Sequence, residues 1–417
     1  MRAFIEPSVV RGVLTAPRSK SHAIRLIMAS LIAPTEIEGI QLSGDVEAAL
    51  RVVEAFGARV ELVGDRARVT PPQSIPREVR VHVGGSATTL RIALAIAATL
   101  GVSFEVDGDE TLRRRPLDAL REALADTGVR FSNSRLPLRV EGRLADSRVE
   151  IRGSESSQYI TGFMIAFCML GNGEISVVPP LVSKSYVYMT SEVLSLFGCS
   201  TRISETKVEV ARTFSPRIVK ERVWGDYALA SFYAVSALTT GGSLTILDLP
   251  EPRSYFGDHS IVKIYERMGA VSEYSSGSWR VESRSEYEAV AEDFEDAPDL
   301  PLSVAPLAAL ARGCSELSGV SRLAIKESDR VRAVAHVLRS FGVDVEYTGG
   351  ALRICGSAEK LKQQVSVQSF KDHRVAMMAA ALALRVGGVV EEADSVNKSN
   401  PRFWSDLASV GGRIRLE

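Results

Sequence analysis

Five basic side chains in this sequence stand where a helix does not ask for them. They are Lys20 and Arg25 in "RSKSHAIR", Arg91 in "GGSATTLR", and Lys371 and Arg374 in "FKDHR". Each falls at the start of a segment that turns strongly apolar. A helix dipole disfavours cations at that end. A bound anion supplies the reason for them, held by backbone N–H groups and by the side chains together. The Ser, Thr and Asp residues beside them are ordinary N-caps, so the cations carry the signal. Three more apolar segments open on polar residues, at "SESSQY", "GDYALAS" and "DAPDLPLS". Six such starts directed at one cleft make an anion trap. "GGSATTLR" is not a nucleotide loop of the G-x-x-x-x-G-K-[ST] kind, since no lysine follows its glycines.

The elements that must carry these residues recur. An amphipathic helix, a glycine and an alternating strand appear six times, from "AALRVVEAFGARVEL" to "FWSDLASVGGRIRLE". The glycines are Gly57, Gly128, Gly198, Gly269, Gly342 and Gly411, at intervals of 71, 70, 71, 73 and 69 residues. Glycine just past a helix end takes the left-handed cap conformation cheaply, and six at near-constant spacing are a repeat. Upstream of each lies a second helix, apolar nearly all round and so buried, as in "TTLRIALAIAATL" and "HRVAMMAAALAL". A unit of this length is too long for a common solenoid. The sequence therefore predicts two pseudo-symmetric α/β domains of three units each.

Composition bounds the function. A chain of 417 residues exceeds one ordinary core. Fifty basic and 51 acidic side chains leave a net charge of −1, which argues against nucleic acid or an anionic membrane as partner. The longest apolar run, "VAMMAAALAL", has ten residues and is too short to span a bilayer. The opening "MRAFIEPSVV" carries Glu6 and Pro7 and no apolar signal core. Four cysteines show no C-x-x-C spacing; Cys168, within "MIAFCML", reads as a free core thiol, and a reducing cytoplasm is expected.

The motifs "SKSHAIR", "RRRPLDAL", "SSQY", "SKSY", "KESDRV" and "DHRVAMM" occur in this order along nearly the whole chain. With them the sequence resembles the enolpyruvyl transferases, and among these the 5-enolpyruvylshikimate-3-phosphate synthase family. The resemblance implies a two-domain inside-out α/β barrel of six βαβαββ units, three per domain. It places one domain at residues 15–225 and the other at 1–14 plus 226–417, with the active site in the interdomain cleft. It also implies transfer of the enolpyruvyl group of phosphoenolpyruvate to the 5-hydroxyl of shikimate 3-phosphate. No metal or organic cofactor is implied, and the enzyme is expected to be a cytoplasmic monomer.

Residue by residue, the resemblance assigns Lys20, Ser21, Arg25, Ser156, Ser157, Gln158, Ser183, Tyr186, Asp299 and Lys326 to shikimate 3-phosphate. It assigns Lys20, Gly85, Ala87, Arg115, Gln158, Arg330, His373, Arg374 and Lys398 to phosphoenolpyruvate. Lys20, Asp299 and Glu327 are the proton-transfer candidates: the reaction needs an acid at the methylene carbon and a base at the hydroxyl. Within "RRRPLDAL", Pro116 is expected at the first helical position, with Arg113 and Arg114 solvated. Arg322 stands where the family often has asparagine. The turn at Gly85–Thr88 departs from the usual G-N-[AS]-G-T, with Gly85 at the Asn and Ala87 at the second Gly. The Ala87 methyl is expected to crowd glyphosate, the longer inhibitor the family binds there, more than it crowds the substrate. The nearest rival, the transferase acting on UDP-N-acetylglucosamine, usually has a reactive cysteine on a flexible loop, and none lies between Met1 and Phe167. A second rival, an RNA 3′-phosphate cyclase-like protein, needs a nucleotide site and usually a more basic surface.

Overall fold

Six apolar helices form the interior: α1 (Lys20–Ala29), α2 (Ala87–Leu100), α3 (Ser157–Leu170), α4 (Tyr227–Thr239), α5 (Pro301–Ala308) and α6 (His373–Val386). Alternation fails along all of them because nearly every residue is buried; every residue of α4 and α5 is. The computed structural model describes residues 1–417. Contacts divide them into Arg18–Val223, which holds α1–α3, and Met1–Pro17 with Trp224–Glu417, which holds α4–α6.

Six four-stranded sheets accompany the six helices, and none closes into a barrel. All share one layout. In one, Arg148–Arg152 pairs parallel with Asn172–Val178, while Lys207–Arg212 runs antiparallel to both Asn172–Val178 and Cys199–Ile203. A parallel pair needs a crossover, and here α3 is that crossover. The six repeat glycines all adopt positive φ, from +79° at Gly198 to +102° at Gly411, so the repeat seen in the sequence is a repeat of helix-to-strand turns.

Two sheets draw a strand from far along the chain. Val219–Arg222 pairs with Thr35–Glu38, closing the Arg18–Val223 unit on itself. In the other unit Arg11–Thr15 pairs with Ser243–Leu247, and Arg2–Glu6 lies between Gly388–Glu391 and Arg413–Leu416. Within the Arg18–Val223 core, α2 lies close against α3 at Gly162, where a Cβ would meet the Ala95 Cβ at 2.7 Å and the Ile92 Cα at 3.0 Å. A bulkier residue there pushes apart the two helices whose starts carry Ala87 and Ser157.

The expected free thiol at Cys168 is not found. Cys168 is bonded to Cys199 and Cys314 to Cys355, and no cysteine is free. Cys168 lies in the last turn of α3, and Cys199 opens the second strand after it; the fold brings their Cα atoms to 6.0 Å. Cys314 and Cys355 face each other across an antiparallel pair. Pairing of this kind depends on register, which C-x-x-C spacing does not report.

Candidate active site

In the Arg18–Val223 unit the helix starts carry the polar set. Ser19, Ser86 and Ser156 cap α1, α2 and α3, their hydroxyls accepting from the backbone N–H groups of His22, Thr89 and Gln158. Arg25 is buried one turn into α1. Its guanidinium donates to the hydroxyls of Thr190 (2.9 Å) and Thr161 (3.2 Å) and to the Ser21 carbonyl (2.8 Å). The Tyr186 ring lies 5.6 Å from it. Burial lowers the Arg25 pKa to about 10, with Tyr186 acting the other way. Next to it, His22 is lowered to about 3, first by burial and then by Arg25. Lys20 pairs with Asp45 at 2.8 Å.

Arg91, a turn into α2, donates to Gln158 Oε1 (2.9 Å), Ser156 Oγ (3.3 Å) and the Pro116 carbonyl (3.3 Å). Gln158 Nε2 donates to Thr88 Oγ1 at 2.8 Å. Gln158 thus joins two expected binding turns, Gly85–Thr88 and Ser156–Gln158. Gly85 is half-buried and Ala87 buried, with the turn's Gly84 at φ +56°. Ser157 is buried at the head of α3. Ser183 takes a left-handed conformation, φ +52°, at the start of the helix Lys184–Leu196 that carries Tyr186. Such strain in a non-glycine residue clusters at functional sites.

Pro116 is not at the first helical position. The helix after it is Asp118–Ala123 with Leu117 as N-cap, because the Pro116 carbonyl is turned inward to Arg91 and Tyr159. Arg115 precedes this anchored residue. Arg113 and Arg114 are exposed and spent on Asp107 and Glu110.

In the other unit the charges form a network at the starts of α5 and α6. Arg330 is buried and engages three carboxylates: Asp372 (Nε to Oδ2, 2.8 Å), Asp299 (Nη1 to Oδ1, 2.9 Å) and Glu327 (Nη2 to Oε2, 2.9 Å). Arg374 Nη2 holds Asp299 Oδ2 at 2.9 Å, while its Nη1 is buried with no hydrogen-bond partner. Lys398 lies 3.4 Å from Glu327 Oε1. Burial pushes the Asp299 carboxyl up, but Arg374, Lys326 and Arg330 together hold it well below the usual carboxylate range. Burial lowers Lys326 to about 8, with Asp299 and Glu327 opposing and Arg330 adding. His373 is buried as the first residue of α6. Arg322 donates to the Glu295 carbonyl.

Two carboxylates in this account did not stand out in the sequence. Asp372, fully buried, caps α6 and also accepts from Arg330 and Ser328; its signal was its place inside "KDHR". Asp45 reads as a first-turn acid of the helix Gly44–Ala55, and only its distance to Lys20 marks it. No cluster of His, Cys, Asp and Glu residues able to hold a metal ion is found.

The chain is thus a sixfold helix–sheet repeat with buried arginines set at helix starts. A family model described as EPSP synthase (3-phosphoshikimate 1-carboxyvinyltransferase) matches residues 5–407. The sequence is 42% identical over 417 residues to a 3-phosphoshikimate 1-carboxyvinyltransferase of Saccharolobus islandicus, covering 99% of each chain. It is 40% identical over 418 residues to one of Caldivirga maquilingensis, again covering 99% of each. A solved EPSP synthase of Acinetobacter baumannii shares the fold, with a TM-score of 0.80 at 21% identity over the whole of both chains. The chain belongs to the EPSP synthase family.

Proposed function

We infer that the two sets of side chains serve the two substrates of one reaction. The chain transfers the enolpyruvyl group of phosphoenolpyruvate to the 5-hydroxyl of shikimate 3-phosphate, releasing phosphate, in the shikimate pathway. The observation that carries the reading is that Arg25 and Arg91 are 1% and 8% exposed, yet hydrogen-bond only to hydroxyls, carbonyls and an amide. Buried charges are normally paired with opposite charge. Both lack such a partner at helix starts: Arg25 suits an anionic substrate directly, and Arg91 serves one through Gln158, which it orients.

In this reading Lys20, Ser21, Arg25, Ser156, Ser157, Gln158, Ser183, Tyr186, Asp299 and Lys326 hold shikimate 3-phosphate. Lys20, Gly85, Ala87, Arg115, Gln158, Arg330, His373, Arg374 and Lys398 hold phosphoenolpyruvate. The partnerless Arg374 Nη1 supports a role for Arg374 in gripping an anion. Protonation at the methylene carbon makes C2 electrophilic. The 5-oxygen bonds to C2 and gives up its proton, Asp299 being the acceptor we favour. The tetrahedral intermediate then loses a methyl proton and breaks its C2–O bond to phosphate, with the fixed cations taking up the charge on the leaving group. Lys20 and Glu327 are the remaining proton carriers. We place the enzyme in the cytoplasm as a monomer that acts on small molecules and binds no nucleic acid, and the two disulfides withdraw cysteine usage as a ground for that compartment; no helix is long and apolar enough to cross a membrane.

Phosphate release from phosphoenolpyruvate, measured in parallel with shikimate 3-phosphate and with UDP-N-acetylglucosamine, tests the reading. Release with shikimate 3-phosphate alone is expected. Release only with the UDP-sugar overturns it.

A further inference from the structure

Tyr159 and Glu155 take no part in the chemistry above, yet they are wired into it. Tyr159 is fully buried in the first turn of α3. Its hydroxyl lies 2.7 Å from Glu155 Oε1 and 3.2 Å from the Pro116 carbonyl. Glu155 Oε2 accepts from the Ala119 backbone N–H at 2.9 Å. Arg91 closes the circuit: its Nη2 also reaches the Pro116 carbonyl, and its guanidinium sits 5.0 Å over the Tyr159 ring. Three side chains therefore tie down the backbone at residues 116 and 119, immediately after Arg115.

The same arginine sets the orientation of Gln158. A guanidinium can only donate, so the side-chain oxygen of Gln158 must face Arg91 and its NH₂ must face Thr88. The NH₂ keeps one hydrogen beyond the bond to Thr88, directed by a group that does not itself need to touch substrate. Arg91 is thus shared between the support of the Arg115 segment and the aim of Gln158.

We propose that Tyr159 and Glu155, with Arg91, form a clamp that positions Arg115 relative to Gln158 and so sets the affinity for phosphoenolpyruvate. They are positioning residues. The inference rests on the assignment of Arg115 and Gln158 to that substrate. Loss of the hydroxyl alone, in Tyr159→Phe, leaves the ring packed under Arg91 and removes the contacts to Glu155 and Pro116.

The test combines kinetics with proteolysis. Tyr159→Phe is expected to raise KM for phosphoenolpyruvate by about 5- to 20-fold, the loss of one or two modest hydrogen bonds. Both kcat and KM for shikimate 3-phosphate should stay within about twofold, since Gln158 keeps its bonds to Arg91 and Thr88, and Ser156 and Arg25 keep theirs. Native-state trypsin cleavage after Arg113 or Arg114 should speed up by a similar factor, as the segment is freed to open. Unchanged cleavage, or a rise of both KM values together, overturns the clamp. Arg115→Ala in the same assays separates the two readings. Faster cleavage in Tyr159→Phe, with KM for phosphoenolpyruvate unmoved in both variants, overturns the assignment of Arg115 and with it the effect on substrate.

Discussion

Asp299→Asn offers the sharpest perturbation, because Asp299 sits between catalysis and binding. Its two oxygens hold Arg330 and Arg374, each at 2.9 Å. These are the arginines assigned to phosphoenolpyruvate, so Asp299 competes with the substrate for their charge. A pair of unit charges about 4 Å apart attracts by ~4 kcal/mol at an effective dielectric of ~20. Most of that is recovered in new contacts with the substrate, so the net cost is nearer that of one charged hydrogen bond, ~1.5–3 kcal/mol. Asparagine keeps an acceptor but loses the charge. Arg330 remains paired to Asp372 and Glu327, whereas Arg374 loses its carboxylate and competes with Arg330 for the one acceptor oxygen that is left. Phosphoenolpyruvate should then bind the free enzyme about 10-fold more tightly, taking ~1.5 kcal/mol as the lower end of that cost. Turnover should fall by roughly 10²–10⁴ if Asp299 accepts the hydroxyl proton. Calorimetric titration of phosphoenolpyruvate into the free enzyme, alongside a phosphate-release assay, reads both quantities. Weaker binding in the variant refutes the competition and makes Asp299 a brace for the arginines. Near-normal turnover removes Asp299 from the proton transfer.

Four other outcomes follow from particular residues. Lys326, lowered to about 8 mainly by burial, carries its charge only while protonated, so affinity for shikimate 3-phosphate is lost as pH rises through 8; kcat/KM for that substrate should fall toward 10-fold per pH unit above it, and a profile level to pH 10 excludes Lys326 from phosphate binding. His22 and His259, both lowered to about 3 chiefly by burial, stay neutral in the fold while the unfolded chain takes up protons below about 6.5. Their contribution is therefore whole above pH 6.5 and shrinks as pH falls toward 3, by up to ~1.4 kcal/mol per unit for each; denaturant midpoints equal at pH 7 and pH 5 refute this. The two disulfides close segments of 31 and 41 residues, worth ~4 kcal/mol each by chain entropy, so Cys168→Ser and Cys314→Ser should each lower the unfolding temperature, and unreduced denatured protein should titrate no thiols. Ala87→Gly should tighten competitive inhibition by glyphosate while changing KM for phosphoenolpyruvate little; inhibition unchanged by the substitution refutes the crowding by that methyl group.

The sequence carried the helices, the glycine turns and the order of the motifs. Those features depend on residues near one another along the chain: an all-apolar run specifies a buried helix, and a glycine at a fixed offset specifies its end. The sixfold repeat is legible for the same reason. Other features could not be read locally. Pro116 looked like a helix start, but a carbonyl drawn inward by Arg91 and Tyr159 shifted the helix to Asp118. Cys168 looked like a lone core thiol until strand order brought Cys199 to it. Asp372 looked like a cap, and it is one, but it also anchors Arg330 from 42 residues away.

What the sequence determined by itself is which side chains are charged and which helix starts present them, since both follow from residue type and short-range periodicity. Only the tertiary structure decided how those charges are shared. It left Arg25 and Arg91 buried with neutral partners while Arg330 engages three carboxylates. Pairing at 3 Å depends on which elements pack together, and that packing is set by burial summed over a whole unit rather than by any one stretch of chain.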